Sequence, residues 1–272
     1  MGIRVKVVGN SNLWTKLPCT SFVIEIDDYG QILFDAPMGS TKFMQEANLL
    51  DYKKLKNIIL THFHYDHFGD ICTVYDNLRF FNPNGKMQLV APKSAKDRFV
   101  NLYKIYDDHD IEEESKKIFC FEEIDNDNVI RLGRYEETDN GTEFIPSDYE
   151  LLAIHVEHGV TYNFGYVLRN IKTGKSIGFS SDTRDCDGLR GIIELSDTIF
   201  IDTANLAPSN THLSAKEVIE FIKKYPNKKF YSIHARDEVK EQYGDVLDIP
   251  QINQVIEFGD EMGNEQQSKK IL

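Results

Sequence analysis

Four side chains that can bind divalent metal ions lie within six residues of this sequence, at His62, His64, Asp66 and His67. Imidazole nitrogens and carboxylate oxygens are the donors that Zn²⁺ and similar ions take. In a nearly extended loop, His62 and His64 point to the same side and can share one ion, whereas Asp66 and His67 turn towards a second position. The spacing therefore predicts a metal site. A polar surface loop that is rich in histidine by chance is the alternative, and it fits poorly with four donors directly behind an apolar run.

That apolar run, residues 57–60, predicts a short buried strand that ends at the metal-binding motif. Three further side chains of the same types also follow apolar runs, at His158, Asp182 and His234. Asp35 ends another run of this kind. We interpret Asp35 either as a carboxylate that orients the histidine loop or as a residue that caps a turn.

Hydrophobic periodicity predicts strands that alternate with helices. Strand patterns occupy residues 3–8, 21–26, 31–34, 88–90, 151–158, 164–168, 176–180, 198–201 and 229–233. Helical patterns occupy residues 40–56 with Asp51 as an N-cap, 68–81, 94–105, and a helix that Ser214 caps. The alternation predicts an α/β fold. We expect one domain over residues 1–258 and a polar tail over 259–272. Within the domain, the acidic segment 106–150 could form hairpins, a lid or a dimer arm.

The charge balance argues against a long nucleic acid as partner. The net charge is −13, and residues 101–150 alone hold sixteen acidic side chains against five basic ones. Binding a long polyanion depends on many contacts between phosphates and Lys or Arg, whereas a small anion held on a metal remains possible. His109, among these acids, is expected to be solvated.

Several absences indicate a cytoplasmic protein. The sequence has no run of eighteen apolar residues and no apolar segment of the signal-peptide kind, so neither a membrane span nor a membrane partner is expected. The four cysteines show no paired spacing, which is typical of reduced thiols.

The order of these motifs resembles the metallo-β-lactamase superfamily over nearly the whole chain. The resemblance rests on strands that end in Asp35, the histidine motif at 62–67, a later His158, Asp182 after a strand, and His234 after another. It implies an αβ/βα four-layer sandwich, with two mixed sheets between helix layers.

The resemblance also implies a ligand set. His62, His64 and His158 would bind a first metal ion, Asp66, His67 and His234 a second, and Asp182 would bridge the two. The ions are expected to be Zn²⁺, although Mn²⁺ would also suit. Two ions about 3.5–4 Å apart can clamp the attacking and leaving oxygens of a displacement, with a metal-bridging hydroxide as the nucleophile. Asp66 and His212 are the catalytic residues that this comparison predicts.

Within the superfamily, the chain is similar to the ribonuclease Z-like phosphodiesterase branch. His158 begins a pattern of that branch that continues to Gly165 and Tyr166, and it is therefore preferred to His155 as a ligand. His212, just before a helix, would be a proton donor or a phosphate contact, or else only a helix-entry residue. Arg184 and Arg236 each follow a ligand by two residues and could pair with a phosphate, although both could equally be surface side chains.

Three departures from the tRNA-processing members of that branch bear on the substrate. The 24 residues from His158 to Asp182 leave no room for a tRNA-gripping arm. Residues 202–205, Asp-Thr-Ala-Asn, replace the usual His-Glu-Ala-Thr, which puts a His–Glu pair there in doubt. The acidic balance is the third departure, because it also opposes tRNA. Asp70, three residues past His67, differs instead from the double glycine that is common in glyoxalase and lactamase members.

The leading functional prediction is therefore a metal-dependent phosphodiesterase that acts on a small anionic phosphodiester, above all a cyclic mononucleotide. Members of this branch include such enzymes, some of them phage-borne proteins that degrade signalling nucleotides. A tRNA 3′-end endoribonuclease is the first alternative, and a hydrolase of lactones, thioesters or β-lactams is the second. A non-enzymatic binding module would require broken ligands, and all seven are present. A homodimer is expected because relatives often form one.

Overall fold

Two mixed β-sheets face each other and carry helices on their outer faces. The computed structural model describes residues 2–107, 111–139 and 141–259. The first sheet contains, in spatial order, β13 (Val255–Phe258), β1 (Ile3–Gly9), β2 (Ser21–Ile26), β3 (Gly30–Phe34), β4 (Leu55–Ile59), β5 (Met87–Pro92) and β6 (Phe119–Ile124). The second contains β12 (Lys229–Ile233), β11 (Thr198–Asp202), β10 (Ser176–Phe179), β9 (Thr161–Asn170), β8 (Gly141–His158) and β7 (Asn128–Thr138).

Eight helices in the described ranges form the outer layers. They are α1 (Ser40–Glu46), α2 (Tyr65–Phe68), α3 (Ile71–Phe81), α4 (Ala95–Tyr106), α5 (Ile111–Ile118), α6 (Asp187–Leu195), α7 (Ala215–Lys224) and α8 (Asp237–Tyr243). Buried side chains of α1 to α5 pack on the first sheet, and those of α6 to α8 pack on the second. This arrangement confirms the αβ/βα sandwich.

An aromatic core fills the space between the two sheets. The ring of Phe34 on β3 stacks on that of Phe179 on β10, with centroids 4.4 Å apart, and Phe179 stacks on Phe200 of β11 at 5.0 Å. These central strands are covered on both faces. Their sequences are therefore nearly continuous apolar runs rather than alternating patterns.

The predicted helix over residues 40–56 is wrong beyond α1. The chain leaves the helix after Glu46, and Asn48 adopts a left-handed φ of 53°. Asp51 caps a turn instead, because its Oδ1 accepts a hydrogen bond from the Lys53 amide at 2.9 Å. Leu55 begins β4. Of the apolar side chains that suggested a helix here, Leu49 is buried from the segment after α1 and Leu55 is buried from β4.

The predicted helix over residues 68–81 begins later, at Ile71. Asp70 interrupts it because its amide bonds to the Ala36 carbonyl at 2.8 Å and its Oδ2 accepts from the Thr41 amide at 2.9 Å. Asp70 therefore ties the short helix α2, which carries two predicted ligands, to the loop after β3.

The segment 106–150 contributes mainly to the fold itself. Helix α5 packs in the outer layer, β6 forms an edge of the first sheet, and β7 pairs with β8 as a long hairpin. Strand β8 spans 18 residues, so the hairpin turn lies at the end of β8 opposite His158. The role of this hairpin as a dimer arm stays a prediction. His109 and the predicted tail, apart from Gly259, lie outside the described residues.

Within the described ranges, no helix combines the length and the apolar character needed to cross a membrane.

Candidate metal centre

The predicted ligands converge because several strands end at one edge of the sandwich. Asp35 follows β3, and His62 follows β4, which lies parallel to β3 in the first sheet. Asp182 and His234 follow the parallel strands β10 and β12 of the second sheet, and His158 ends β8. Carboxyl ends of parallel strands meet at the same edge of a sheet, and this is where ligand sites of such sheets lie.

Three residues at this edge have a strained backbone. Asp35, Ser181 and His234 have φ values of 57°, 58° and 58°, in the left-handed region that residues other than glycine rarely adopt. Each such residue costs about 1–3 kcal/mol, and strain of this kind concentrates at functional sites. The strain turns the chain sharply after β3, β10 and β12, so that the side chains that follow these strands face the gap between the sheets.

The first group of donors contains His62, His64 and His158, whose ligand atoms all lie within 4.8 Å of one another. His62 Nε2 lies 2.9 Å from His64 Nδ1, and His158 Nε2 lies 3.3 Å from the same atom. Burial lowers the pKa of His62 and of His64, which keeps both rings neutral. Neutral imidazole is the form that binds a metal ion.

The second group contains Asp66, His67, Asp182 and His234, all of them buried. Asp182 Oδ2 lies 3.3 Å from His67 Nε2, and its Oδ1 lies 3.3 Å from His234 Nδ1. The same carboxylate lies 4.0 Å from His62 Nε2 and 3.9 Å from His158 Nε2 in the first group. Asp182 therefore stands between the two groups, where a shared ligand would have to be.

Two observations on His67 show that this donor set fits a cation. Its Nε2 is buried, and although Asp182 Oδ2 lies 3.3 Å away, Nε2 forms no well-aligned hydrogen bond in the described part of the chain, whereas a buried donor or acceptor is normally satisfied. Burial opposes a charge on the ring, but the carboxylates of Asp182 and Asp35 outweigh it and raise the pKa of His67. The position therefore favours a positive charge, which a metal ion would supply in place of a proton.

Asp35 orients the histidine loop. Its Oδ1 accepts a hydrogen bond from the Thr61 amide at 2.8 Å, and its Oδ2 accepts from the Thr61 hydroxyl at 2.9 Å. The same Oδ2 lies 2.8 Å from His67 Nδ1. This contact directs Nε2 of His67 towards the cluster, as outer partners of metal-binding histidines do. The orienting interpretation of Asp35 is therefore preferred to that of a simple turn cap.

We expect Asp35→Asn to weaken metal binding about 10- to 100-fold, because the amide keeps the shape of the side chain but loses the charge that orients His67. A competition titration against a chromophoric chelator measures this. Asp148→Asn is the control, since Asp148 is a carboxylate that pairs with Lys172 and lies outside both donor groups. Equal metal affinity in the two variants would contradict the role of Asp35.

The structure brings His158, and not His155, to the cluster. His158 Nδ1 lies 2.8 Å from the carbonyl oxygen of Thr211, which leaves Nε2 to face the other donors. His155 is exposed, and its ring packs against those of Tyr162 and Phe164. Since side chains alternate along a strand, residues 155 and 158 of β8 face opposite sides of the sheet.

His212 forms a pair with a carboxylate that sequence reasoning missed. Its Nδ1 lies 2.9 Å from Oδ2 of Asp202, which is fully buried and also accepts from the Thr183 amide at 2.9 Å. Burial opposes protonation, but Asp202 outweighs it and raises the pKa of His212 to about 9. One ring nitrogen of His212 lies within 4.8 Å of ligand atoms of His158 and Asp182. The ring that Asp202 holds through Nδ1 therefore lies beside the cluster.

Asp202 occupies the first position of the Asp-Thr-Ala-Asn stretch, where the doubt about a carboxylate–histidine pair arose. The pair exists, with an aspartate from the end of β11 as the carboxylate. The available signal was its place after an apolar run, the same signal that marked Asp182 and His234. Asn163 was also missed: its Nδ2 donates to the Asp182 carbonyl at 2.6 Å, and its Oδ1 accepts from the Ser181 hydroxyl at 2.8 Å. Asn163 thereby holds the strained turn that presents Asp182.

Two mixed sheets with a buried His/Asp cluster at one edge define a metal-dependent hydrolase of the metallo-β-lactamase fold. The chain belongs to the beta-lactamase superfamily, because residues 31–235 match the family described as "Beta-lactamase superfamily domain". The resemblance read from the sequence is thereby confirmed.

One protein of known sequence and two solved structures are similar to this chain. The chain is 25% identical to ribonuclease Z of Picrophilus torridus over 235 residues, which are 74% of this chain and 75% of that protein. The metallo-beta-lactamase fold protein YhfI of Bacillus subtilis has a TM-score of 0.72 at 14% identity, covering 94% of this chain and 99% of that one. Unliganded yeast PDE1 has a TM-score of 0.69 at 12% identity, with coverage of 93% and 98%.

Proposed function

We propose that this chain is a dinuclear metal-dependent phosphodiesterase that hydrolyses small phosphodiesters, with cyclic mononucleotides as its substrates and Zn²⁺ as its expected metal. The observation that carries the proposal is the pair of donor groups on either side of Asp182, with His212 next to them and bonded to the buried carboxylate of Asp202. A metal pair and a proton donor are together what the displacement of an alkoxide from phosphorus requires.

When bound, two divalent ions would polarise the phosphoryl group and activate a water molecule. His62, His64 and His158 would hold one ion and Asp66, His67 and His234 the other, with Asp182 shared between them. The chain's own contribution to bond cleavage is the proton on His212. In the hydrolysis of a cyclic diester, water adds to phosphorus and loses a proton to solvent, and the bond to one ribose oxygen breaks. His212 donates its proton to that oxygen and takes up another from solvent afterwards. Asp202 keeps the ring oriented and charged until the transfer.

The preference for a small substrate rests on charge and topology. The net charge of −13 opposes the many phosphate contacts that a long RNA requires. Between His158 and Asp182 the chain forms only β9, β10 and short turns, so no arm extends from this part of the structure. Ribonuclease activity remains the second candidate, because the relative of 25% identity is a ribonuclease Z.

The test is a substrate screen with purified protein loaded with Zn²⁺ or Mn²⁺. We expect 2′,3′- or 3′,5′-cyclic nucleotides to be opened to linear monophosphates, while precursor tRNA at physiological salt stays intact. An Asp182→Asn protein, purified in parallel, controls for contaminating nucleases. Metal-loaded protein that leaves every cyclic nucleotide unchanged would overturn the proposal, and cleavage of the tRNA alone would favour the second candidate.

A further inference from the structure

One arginine that lies close in sequence to a predicted metal ligand has a buried nitrogen that no described residue satisfies. Arg236 follows the predicted ligand His234 by two residues. Its Nε is buried and has no hydrogen-bond partner within the described residues. A guanidinium nitrogen that is removed from water and left unsatisfied is unfavourable, so its retention calls for a reason.

The other eight arginines of the chain each contact a carboxylate, a backbone carbonyl or an aromatic ring. The sequence has nine arginines, all of which lie in the described ranges. Six form ion pairs with Asp or Glu: Arg4, Arg79, Arg134, Arg169, Arg184 and Arg190. Arg131 donates to the Ser147 carbonyl, and Arg98 lies over the ring of Phe63 at 4.6 Å. Carboxylates are abundant in this acidic chain, yet none in its described part pairs with Arg236.

The structure also separates the two arginines that the sequence offered as phosphate contacts. Arg184 follows Asp182 by two residues, as Arg236 follows His234. The guanidinium of Arg184 is bonded to the carboxylate of Glu157, and its side chain is nearly half exposed. Its hydrogen-bonding capacity is therefore partly taken, whereas that of Arg236 is available.

The backbone holds Arg236 in place beside the cluster. The Ala235 amide donates to the Asn10 carbonyl at 3.1 Å, and the Arg236 carbonyl accepts from the amides of Val239 and Lys240, each at 3.1 Å. The ring of His234, two residues before Arg236, stacks on that of His212 with centroids 5.2 Å apart. Arg236 therefore follows the predicted ligand that lies against the proton donor.

We propose that Arg236 binds a non-bridging phosphate oxygen of the substrate and so positions the leaving oxygen against His212. The inference rests on the proposed phosphodiesterase function and names a residue that recognises the anion. Guanidinium matches phosphate in geometry and charge, and in a site with a low local dielectric such a contact is stronger than in water. The two terminal nitrogens of Arg236, which form no hydrogen bond with the described residues, would make this contact, because Nε is closed off from water.

The experiment compares Arg236→Ala with Arg184→Ala, which removes the same charge from the equivalent position after the other ligand. Calorimetry with inorganic phosphate on the metal-loaded proteins gives the binding constant directly, without relying on activity. We expect phosphate to bind about 10- to 100-fold more weakly to Arg236→Ala, and no more than about 2-fold more weakly to Arg184→Ala. Arg236→Lys should recover part of the loss, because it restores the charge without the planar fork.

The outcomes separate this inference from the proposed function. Equal phosphate affinity in the two alanine variants would overturn the role of Arg236, even if the unchanged protein opens cyclic nucleotides. A protein that opens none, but whose phosphate binding depends on Arg236, would refute the phosphodiesterase and retain the anion contact. If Arg236→Ala does not fold with its metal content intact, Arg236→Gln takes its place, and phosphate affinity like that of Arg184→Ala would again overturn the inference.

Discussion

Asp182→Asn is expected to reduce hydrolysis by about 10³-fold or more. Removing a single group that stabilises charge in a transition state costs about 10²–10³ in rate, and Asp182 would serve both ions at once. The amide preserves the shape of the side chain, so the loss would reflect the missing charge. Steady-state rates of hydrolysis of a cyclic nucleotide that the unchanged protein cleaves measure the effect. Metal analysis of the same samples should show fewer ions per chain.

The control for this variant is Asp148→Asn. Asp148 pairs with Lys172 at the far end of the second sheet and contacts no predicted ligand. It should keep the metal content and the rate of the unchanged protein. Asp182→Asn protein with full metal content and a rate close to that of Asp148→Asn would show that the two donor groups do not share this carboxylate.

His212→Ala should lower the rate on cyclic nucleotides by about 10²- to 10⁴-fold, the usual contribution of general acid catalysis. The loss should shrink on bis(p-nitrophenyl) phosphate, because nitrophenolate leaves readily without a proton. Asp202→Asn should follow the same pattern with a smaller loss, about 10- to 100-fold, since it acts on the substrate only through the ring of His212. The comparison of the two substrates is therefore the measurement that identifies a proton donor.

Metal content distinguishes this role from a simpler one. One nitrogen of His212 lies within 4.8 Å of ligand atoms of His158 and Asp182, close enough to the cluster to bind an ion itself. We expect His212→Ala to retain the metal content of the unchanged protein. An equal loss of rate on both substrates, together with lost metal, would place His212 among the ligands and remove it as the proton donor.

The local part of the site can be read from sequence because its geometry is local. His62, His64, Asp66 and His67 are neighbours in any loop of this length, so their types and spacing alone predict a metal site. The convergence of His158, Asp182 and His234 depends on contacts across two sheets. The hydrophobic periodicity of the sequence does not predict such contacts. That part of the prediction came from the resemblance to a family.

The contact between Asp202 and His212 could not be predicted from the sequence motif. Ten residues and a loop separate them in the sequence. They meet because β11 pairs with β10, so that Asp202 lies beside the turn that carries Asp182 and within hydrogen-bond distance of His212. The comparison with the His-Glu-Ala-Thr motif showed that its glutamate is replaced, which put a carboxylate–histidine pair in doubt. The chemical requirement, a buried carboxylate within reach of the ring, is met from a different position.

The errors in the secondary structure predicted from the sequence also have local causes. The helical pattern over residues 40–56 fails because Asn48 turns the chain, which apolar spacing does not reveal. Helix α6 was missed although Leu189, Ile192 and Ile193 have helical spacing, because the segment is short and follows the site loop directly. Strand β13 has only four residues and becomes recognisable only through its pairing with β1.

Anomalous diffraction from crystals grown with Zn²⁺ tests the central claim most directly. The account predicts two peaks per chain, one among His62, His64 and His158 and one among Asp66, His67 and His234, with Asp182 between them. A folded protein with no peak at this edge of the sandwich, or with its metal bound elsewhere, would contradict the account.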